Sequence, residues 1–530
     1  MKRRILSIVL TICMVLMLLP ITVFAANDDA ADLQSLLNGG GTVTLSKDYT
    51  IDTTLDVKNT VTLDLNGHVI KMTGSDGVIV VSWCNLTLQD SNKTATHTDS
   101  TLPAGGVITG GNAMRGGGVY ISTNGSMTMN GGTIANCSAE NGGGVATYNG
   151  SFTMNGGTIK NCTATNSDYN FGGGGVYVAS TCSMTMNGGT IENCSSTTTG
   201  GGVFSKGNFS MSGNAIIRGC SAKIVGGVNL DDGHTFTMTG GTIEACTSTN
   251  GTFDAVRIGV GAHLLANGGI VKGTVIFALD SAINTTSTDS YTKFYNEVEN
   301  YGTISGGVYY GGISDNGTVS GTYHIVTFDT NGGSSVPTQW FFNTDMAPAL
   351  QPADPTKDGF VFAGWYNGDT KYDFTQSVTS DMTLTAKWVT TNVSTEAELK
   401  EALDTGATSI KLDSDFKLSS TLDLTDKIIT IDLNGYVLTG NIQLSDNSAL
   451  PNSILTLIDS RPTATHSDSS LPAGGVVNGK ITLTRGSGSV SHLYANGGTV
   501  TGQTSLPSYA GGIFCTSDTP TAFKAYVGNY

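Results

Sequence analysis

The segment Ser126-Met-Thr-Met-Asn-Gly-Gly-Thr-Ile134 recurs along the first half of the chain with few changes. Near-copies begin at Ser151, Ser183, Asn208 and Thr235. The methionine at position 129 recurs at 154, 186, 211 and 238, which gives spacings of 25, 32, 25 and 27 residues. Tandem units of this length indicate a repeat architecture, in which a unit completes its core by stacking on its neighbours.

Short alternating runs such as Met127-Thr128-Met129 are bounded by Asn-Gly or Gly-Gly pairs. Alternation predicts strands and the glycine-containing pairs predict turns. We therefore expect each unit to contain three short strands and three turns. Stacked on its copies, such a unit predicts a right-handed parallel β-helix with coils about 4.8 Å apart.

Aligning the repeats predicts which side chains point into the solenoid. One inward column is Met129, Met154, Met186, Met211 and Met238, and a second is Met127, Phe152, Met184, Phe209 and Phe236. The residues between them, expected to point outward, are Thr128, Thr153, Thr185, Ser210 and Thr237. We interpret the methionines as core rather than as thioether ligands of a soft metal.

Five cysteines follow the Gly-Gly-Thr-Ile element at one offset: Cys137, Cys162, Cys194, Cys220 and Cys246. In an exported protein they are candidates for disulfides between coils. Side chains that point in parallel are, however, poorly aimed for the torsion of an S–S bond. The prediction is a column of buried free thiols.

Composition excludes several classes of function. The chain has 42 acidic and 26 basic residues, and charged residues are only 13% of 530. An acidic chain without a basic patch argues against nucleic acids and anionic membranes as partners. At 38% hydrophobic residues the chain buries a core, which excludes general disorder.

The first 25 residues have the pattern of a signal peptide. Lys2 to Arg4 precede an apolar stretch from Ile5 to Leu19, and Ala25 suits signal peptidase cleavage. The alternative is an uncleaved membrane anchor, for which the stretch is short. We expect export, and no stable membrane span after cleavage.

The repeat pattern occurs twice. Short capping helices are predicted from Asp28 to Leu37 and after the capping box Thr395-Glu-Ala-Glu398. Each precedes an Asp-Leu-Asn-Gly motif and a loop of 17 residues, at positions 90–106 and 459–475, with 13 of 17 residues identical. We therefore predict an all-β chain with two capped parallel β-helices, at 26–324 and 390–530.

The segment 325–389 between the two predicted solenoids has another composition and holds Trp340, Trp365 and Trp388. Its ordered motifs are Val326-Thr-Phe-Asp-Thr-Asn-Gly-Gly333, Gly359-Phe-Val-Phe-Ala-Gly-Trp-Tyr366 and Thr383-Leu-Thr-Ala-Lys-Trp388. This segment resembles the Listeria–Bacteroides repeat, related to internalin-type B repeats. The resemblance implies a small β-grasp-like module of cell-envelope or secreted proteins, without catalytic residues. We expect its aromatic residues to form core, the alternative being one exposed tryptophan that stacks on carbohydrate.

Two clusters are candidates for chemistry. Asp231-Asp232-Gly-His234 with Arg257 superficially resembles the polygalacturonase motifs, but the Asn-Thr-Asp element is not evident and no lysine follows Ile258. Repeat alignment places Asp232 at a turn, where Asp-Gly is expected for structural reasons alone.

The duplicated loops contain the pairs His97/Asp99 and His466/Asp468, which suit a metal or a sugar. The alternative is a solvated loop. We assign no catalytic, cofactor-binding or metal-ligating residue.

The sequence thus predicts a secreted or cell-envelope repeat protein without enzymatic activity. Stacked Ser, Thr and Asn ladders would bind extracellular glycans or host or bacterial surface proteins. The alternative is a polysaccharide lyase or glycoside hydrolase built on a β-helix, which needs paired carboxylates or a calcium site.

Overall fold

The computed structural model describes residues 29–251, 253–284, 292–342, 347–445, 453–483, 492–504, 513–514 and 524–527. The predicted signal peptide and its cleavage site lie outside these residues. The chain forms two compact units. Unit 1 runs to Val326 and adds Pro337–Ala349 and Thr375–Asp381, and unit 2 consists of Thr327–Val336, Leu350–Phe374 and Met382–Tyr530.

Unit 1 is a parallel β-solenoid whose strands stack in four columns. Column 1 contains Gly41–Thr44, Val61–Asp64, Asn85–Gln89, Ser126–Met129, Ser151–Met154, Ser183–Met186, Asn208–Met211, Thr235–Glu244, His263–Val271, Ala282–Asn284, Thr303–Ile304 and Thr318–Val319. Column 2 contains Tyr49–Ile51, Val69–Met72, Val107–Thr109, Thr133–Ala135, Thr158–Lys160, Thr190–Glu192, Ile216–Arg218, the second halves of Thr235–Glu244 and His263–Val271, Lys293–Phe294 and Val308–Tyr309.

Columns 3 and 4 complete the coils. Column 3 contains Asn112–Arg115, Ser138–Asn141, Thr163–Ala164, Ser195–Ser196, Ser221–Ala222 and Thr247–Ser248. Column 4 contains Leu55–Val57, Ile79–Ser82, Val119–Ser122, Val145–Thr147, Val176–Val178, Val203–Ser205, Val228–Leu230, Val256–Ile258, Val275–Phe277, Val298–Asn300 and Ile313–Asp315. Every pairing between these column strands is parallel, as the repeat pattern predicts.

The predicted side-chain columns are confirmed. Met129, Met154, Met186, Met211 and Met238 align from coil to coil, and so do Met127, Phe152, Met184, Phe209 and Phe236. All ten are at most 1% exposed, so they are core and not surface thioethers. The Phe209 and Phe236 rings stack with centroids 4.7 Å apart. Each coil closes the core of the next, which is why one coil cannot be stable alone.

The coils between about residue 107 and residue 248 have four strands, not the three that the alternation predicts. From Cys137 onward the extra strand follows the cysteine, and in four coils a Gly-Gly-Gly-Val segment then leads into column 4. At Gly144 a Cβ atom would lie 2.6 Å from Ile159 Cγ2 and 2.7 Å from the Gly175 carbonyl oxygen. Glycine is needed here because two coils and a core side chain meet at this corner.

Each end of the described solenoid in unit 1 is covered. Helix α1, Asp29–Asn38, buries Leu33 and Leu37, and the predicted first residue, Asp28, lies outside the described residues. Its Gln34 side chain donates to the Asp56 carbonyl at 2.8 Å and accepts from the Asp56 N–H at 2.7 Å, in place of a neighbouring strand. At the other end, Gln339–Phe342 pairs antiparallel with residues 308–309 and with the first residues of the strand Tyr323–Asp329.

Unit 2 contains an antiparallel sheet and a second parallel solenoid. The antiparallel strands are Phe360–Asn367, Thr370–Lys371 and Met382–Thr390. The solenoid strands are Asn392–Val393, Ser409–Leu412, Ile428–Asp432, Ile454–Ile458, His492–Ala495 and Ile513–Phe514 in one sheet, Phe416–Lys417, Val437–Thr439, Val476–Asn478, Thr499–Thr504 and Lys524–Val527 in the next, and Leu422–Asp423, Ile442–Leu444 and Ile481–Leu483 in the third.

Helix α2, Glu396–Thr405, covers the first coil of the solenoid in unit 2. Its predicted capping box is present, because the Thr395 side chain accepts from the Glu398 N–H and Glu398 accepts from the Thr395 N–H. Leu399 and Leu403 are buried in one core with the solenoid leucines. A buried apolar helix face is what an open solenoid end requires.

Candidate binding surface

The outward face of column 1 is a continuous array of small polar side chains, which we call the polar face. Its first file is Asn85, Ser126, Ser151, Ser183, Asn208 and Thr235; its second is Thr42, Thr62, Thr87, Thr128, Thr153, Thr185, Ser210 and Thr237; its third is Asn130, Asn155, Asn187 and Ser212. All of these residues are exposed or half-buried. Neighbouring files lie about 6.7 Å apart and neighbouring coils about 4.8 Å apart.

Hydrogen bonds between coils order the third file. Asn155 donates to the Asn130 side-chain oxygen at 3.0 Å, and Asn187 donates to that of Asn155 at 2.9 Å. Ser212 continues the ladder at 3.0 Å to Asn187. Such a ladder holds amide groups in fixed orientation, so that a ligand meets a preorganised surface rather than mobile side chains.

A second outward file, in column 2, alternates in charge. Lys160, Glu192, Arg218 and Glu244 occupy equivalent positions on successive strands, and Lys272 follows one coil later. Glu192 lies 3.1 Å from Lys160 and 2.7 Å from Arg218, and Lys272 lies 2.9 Å from Glu244. Burial alone would raise the pKa of Glu192, but the hydrogen bonds from Arg218 and Lys160 outweigh it and lower that pKa. The file is therefore held by its own ion pairs.

The Asp-Asp-Gly-His segment forms the turn that repeat alignment predicts. Gly233 has a φ of 73°, and Asp232 accepts a hydrogen bond from the Val260 N–H of the next coil at 2.8 Å. Asp231 lies 3.2 Å from the Lys206 ammonium, and Asp232 lies 3.9 Å from the Arg257 guanidinium. These contacts give both carboxylates a structural role in joining coils.

Each duplicated loop is held by a carboxylate, buried at Asp90 and half-buried at Asp459. Asp90 accepts hydrogen bonds from the Gly67 and Gly106 N–H groups, both at 2.7 Å. Asp459 accepts from the Gly435 and Gly475 N–H groups at 2.8 and 2.7 Å. The Asp-Leu-Asn-Gly motif and the loop are thus two halves of one hydrogen-bonded corner, which explains why they recur together.

The histidines of these loops face inward on their own loop. His97 Nε2 donates to the Gly105 carbonyl at 2.7 Å, and His466 Nε2 donates to the Gly474 carbonyl at 2.6 Å. Asp99 accepts from the Thr101 N–H and hydroxyl at 3.1 and 2.6 Å. Within the described residues, no cluster of three or more His, Cys, Asp or Glu side chains is placed to hold a metal ion.

The cysteine column is buried and free of disulfides in the described part of the chain, as predicted. Cys137, Cys162, Cys194, Cys220 and Cys246 are at most 4% exposed. Cys194 Sγ donates to the Glu192 carbonyl at 3.4 Å. Burial raises the pKa of the Cys194 thiol well above its ordinary value, so the thiol stays protonated.

The aromatic residues of the middle segment are only partly core: Phe328, Phe341, Phe342 and Trp365 are buried, whereas Phe360 is 39% exposed and the others are half-buried. Trp365 is 2% exposed in unit 2, and Trp388 Nε1 donates to the Thr330 carbonyl at 2.9 Å. The exposed tryptophan lies elsewhere: Trp83 is 70% exposed and has a φ of 60°. It occupies a turn between columns 4 and 1 where a later coil has Asn149, which sequence reasoning missed because Trp83 lies outside the aligned repeats.

Sequence reasoning also missed the width of the polar face and the charge file. The alternating runs at 42–44, 61–63 and 86–88 contain the additional threonines, and the residues that follow four of the repeat segments alternate in charge, as Lys160, Glu192, Arg218 and Glu244. Both signals are present in the sequence: the additional threonines precede the most regular repeats, and the charged residues follow them.

Comparison with known families supports the resemblance of the middle segment. Residues 324–387 match the Listeria-Bacteroides repeat domain. That repeat family is typical of surface proteins, which indicates a surface-associated repeat protein. Comparisons with curated proteins and with solved structures found no match. Across the described residues, no helix is both long and apolar enough to cross a bilayer.

Proposed function

We propose that this protein is exported to the cell surface or medium and works as a non-enzymatic binding protein. The polar face would contact extended glycans or surface proteins over many coils. The proposal rests on the second file of the polar face, whose residues stay in register from Thr42 to Thr237. Repeated weak contacts at a fixed spacing add up through multivalency.

The contacts of the acidic side chains support binding over catalysis. A glycosidase needs two carboxyl groups on either side of a substrate bond. Asp231 and Asp232, the best candidates from sequence, instead pair with Lys206 and Arg257 and close a turn. The repeat match adds that the chain carries a domain typical of surface proteins.

The proposal is tested with the full chain on a glycan array and on a panel of immobilised surface proteins, beside a reducing-sugar assay on the same glycans. We expect binding without release of reducing ends. A Thr153→Lys, Thr185→Lys double variant places two long cations on the polar face and should weaken binding at least tenfold, since these side chains point outward.

Thr482→Lys is the matched control, because Thr482 lies in the middle of a three-residue solenoid strand in unit 2. It should bind like the unmodified chain. Release of reducing ends, or equal binding by the double variant, would contradict the proposal.

A further inference from the structure

Unit 1 has a groove of about 350 Å³ on the outward side of column 4, away from the polar face. Its lining includes Asp76, Met114, Arg115 and Tyr120. Met114 is 67% exposed, Asp76 and Arg115 are exposed, and Tyr120 is half-buried. The groove therefore offers a carboxylate, a guanidinium and an aromatic ring to solvent within one depression.

The aromatic ring is the accessible end of a buried file. Tyr120 contacts Tyr148 edge to face at 5.9 Å, Tyr148 stacks on Tyr177 at 5.2 Å, and Tyr177 contacts Phe204 at 5.8 Å. Tyr177 and Phe204 are at most 2% exposed. Burial fixes the inner rings, and the file in turn limits the motion of Tyr120, which reduces the entropy lost when a ligand binds.

Arg115 is preoriented by the same file. Its guanidinium carbon lies 4.3 Å from the centre of the Tyr148 ring, and it donates to the Tyr120 hydroxyl at 3.4 Å. A cation over a tyrosine ring is held by about 1 kcal/mol. Among the described residues Arg115 forms no ion pair, so most of its five N–H donors remain available to a ligand.

Asp76 supplies the complementary acceptor. Its backbone carbonyl accepts from the Asn112 N–H at 2.9 Å, which ties its position to column 3. In the described part of the chain, its carboxylate accepts no hydrogen bond and forms no ion pair. The groove thus combines a guanidinium that forms no ion pair and an unpaired carboxylate with an apolar ring face.

We propose that this groove binds a pyranose unit of a neutral oligosaccharide. Vicinal hydroxyls both donate and accept, so they satisfy Asp76 and Arg115 together, while the C–H face of the sugar packs on Tyr120. A uronic acid would pair with Arg115 but would bring a second carboxylate towards Asp76. This choice of a neutral sugar follows from the presence of both charges.

The groove and the polar face are separate surfaces, so the inference stands or falls independently of the proposed function. Calorimetric titration of the full chain with cellohexaose, xylohexaose and mannohexaose, each beside tetragalacturonic acid, tests it. We expect one neutral hexasaccharide to bind more tightly than the acidic sugar. Tyr120→Ala and Asp76→Asn should each weaken that binding about tenfold, since the first removes the ring and the second replaces a charged acceptor with a weaker neutral one.

Tyr169→Ala is the matched control, because Tyr169 is also an exposed tyrosine beneath a cation, with Lys223 5.3 Å from its ring centre. It should bind normally, and so should the Thr153→Lys, Thr185→Lys variant. Thermal melts show whether each variant is folded, and Asp76→Asn, at an exposed site, keeps the test valid if Tyr120→Ala unfolds. No binding by any neutral sugar, tighter binding of the acidic sugar, or unchanged binding by Asp76→Asn would overturn the inference.

Discussion

The duplicated loops at 90–106 and 459–475 have the same hydrogen bonds but different surfaces. In both, an aspartate accepts from two glycine N–H groups and a histidine donates to a glycine carbonyl. All four substituted positions are exposed: two exchange threonine for serine, and Asn92 and Lys93 in the first loop correspond to Arg461 and Pro462 in the second. Duplication has thus retained the groups that hold the backbone, while the exposed side chains differ.

The second loop borders a cavity of about 630 Å³ lined by residues that include Asp415, Tyr436, Arg461 and His466. The Arg461 guanidinium lies 5.5 Å from the centre of the Tyr436 ring. In unit 1 the residue that corresponds to Tyr436 is His68, which pairs with Asp48. The same scaffold therefore presents different chemistry in the two units, because Tyr436 and His68 occupy the same place on it.

The largest expected effect is loss of the buried carboxylate. Asp90→Ala leaves the Gly67 and Gly106 N–H groups without acceptors and should lower the free energy of unfolding by about 3 kcal/mol. Asp459→Ala should lower it by less, because Asp459 is only half-buried. Denaturant unfolding measures the loss, and hydrogen exchange should rise at those glycines. Asp99→Ala, an exposed aspartate of the same loop, should change stability little, and equal losses from Asp90→Ala and Asp99→Ala would contradict this account.

The second largest effect is expected from substituting the glycines at which each duplicated loop packs closely against the Asp-Leu-Asn-Gly turn. A Cβ at Gly67 would lie 2.5 Å from Ala95 Cβ, and one at Gly435 would lie 2.6 Å from Ala464 Cβ. Both glycines also have positive φ. Alanine at either site should cost about 2 kcal/mol from overlap and strain, measured by thermal unfolding. Gly233 also has a positive φ, but a Cβ there would have no atom within 4 Å. Gly233→Ala therefore measures the backbone strain without the steric overlap, and it should lower the free energy of unfolding by about 1 kcal/mol. A cost at Gly67 no greater than at Gly233 would show that the loop is not tightly packed.

A smaller effect is expected at the loop histidines. His97→Ala and His466→Ala each remove one hydrogen bond to a backbone carbonyl and should cost about 1 kcal/mol. If these histidines work only within their loops, added Zn²⁺ or Ca²⁺ should not raise the melting temperature of the unmodified chain. A metal-dependent rise that His97→Ala abolishes would instead establish a metal site.

The smallest expected effect is a change in the pKa of a single exposed carboxyl group in each loop. Hydrogen bonds from Thr101 lower the pKa of Asp99 below its ordinary 3.8, and those from Ser470 do the same for Asp468. A lowered carboxyl pKa adds stability that is complete above about pH 4 and is lost as the pH falls through the lowered value. Thr101→Ala should move the pKa of Asp99 back towards 3.8, as measured by carboxyl NMR titration. Ser470→Ala should do so at Asp468, and a shift in one loop only would show that the two turns differ.

The sequence predicts much of the fold where near-identical units repeat. The inward positions of Met154 and Phe152 follow from alternation combined with the period, because a slip of one residue would turn every side chain to the other face. The capping box at Thr395 is equally legible, since its hydrogen bonds join residues three apart.

Contacts between residues far apart in the chain are harder to predict from the sequence. Asp90 appears in the sequence only as part of a duplicated motif, and its acceptor role depends on glycines 16 and 23 residues away. The sequence marks His97 as a candidate ligand, but its Nε2 donates to the Gly105 carbonyl of its own loop. The fourth strand column and the groove beside Arg115 depend on how coils of unequal length bend around one corner.

By itself the sequence determined the parallel β-solenoid, its register and its buried columns, since these follow from local alternation repeated at a nearly constant period. Only the tertiary structure decided which polar groups are free to bind a ligand. Whether Asp231 or Asp76 is already paired depends on side chains from neighbouring coils and turns, and no local pattern encodes those contacts.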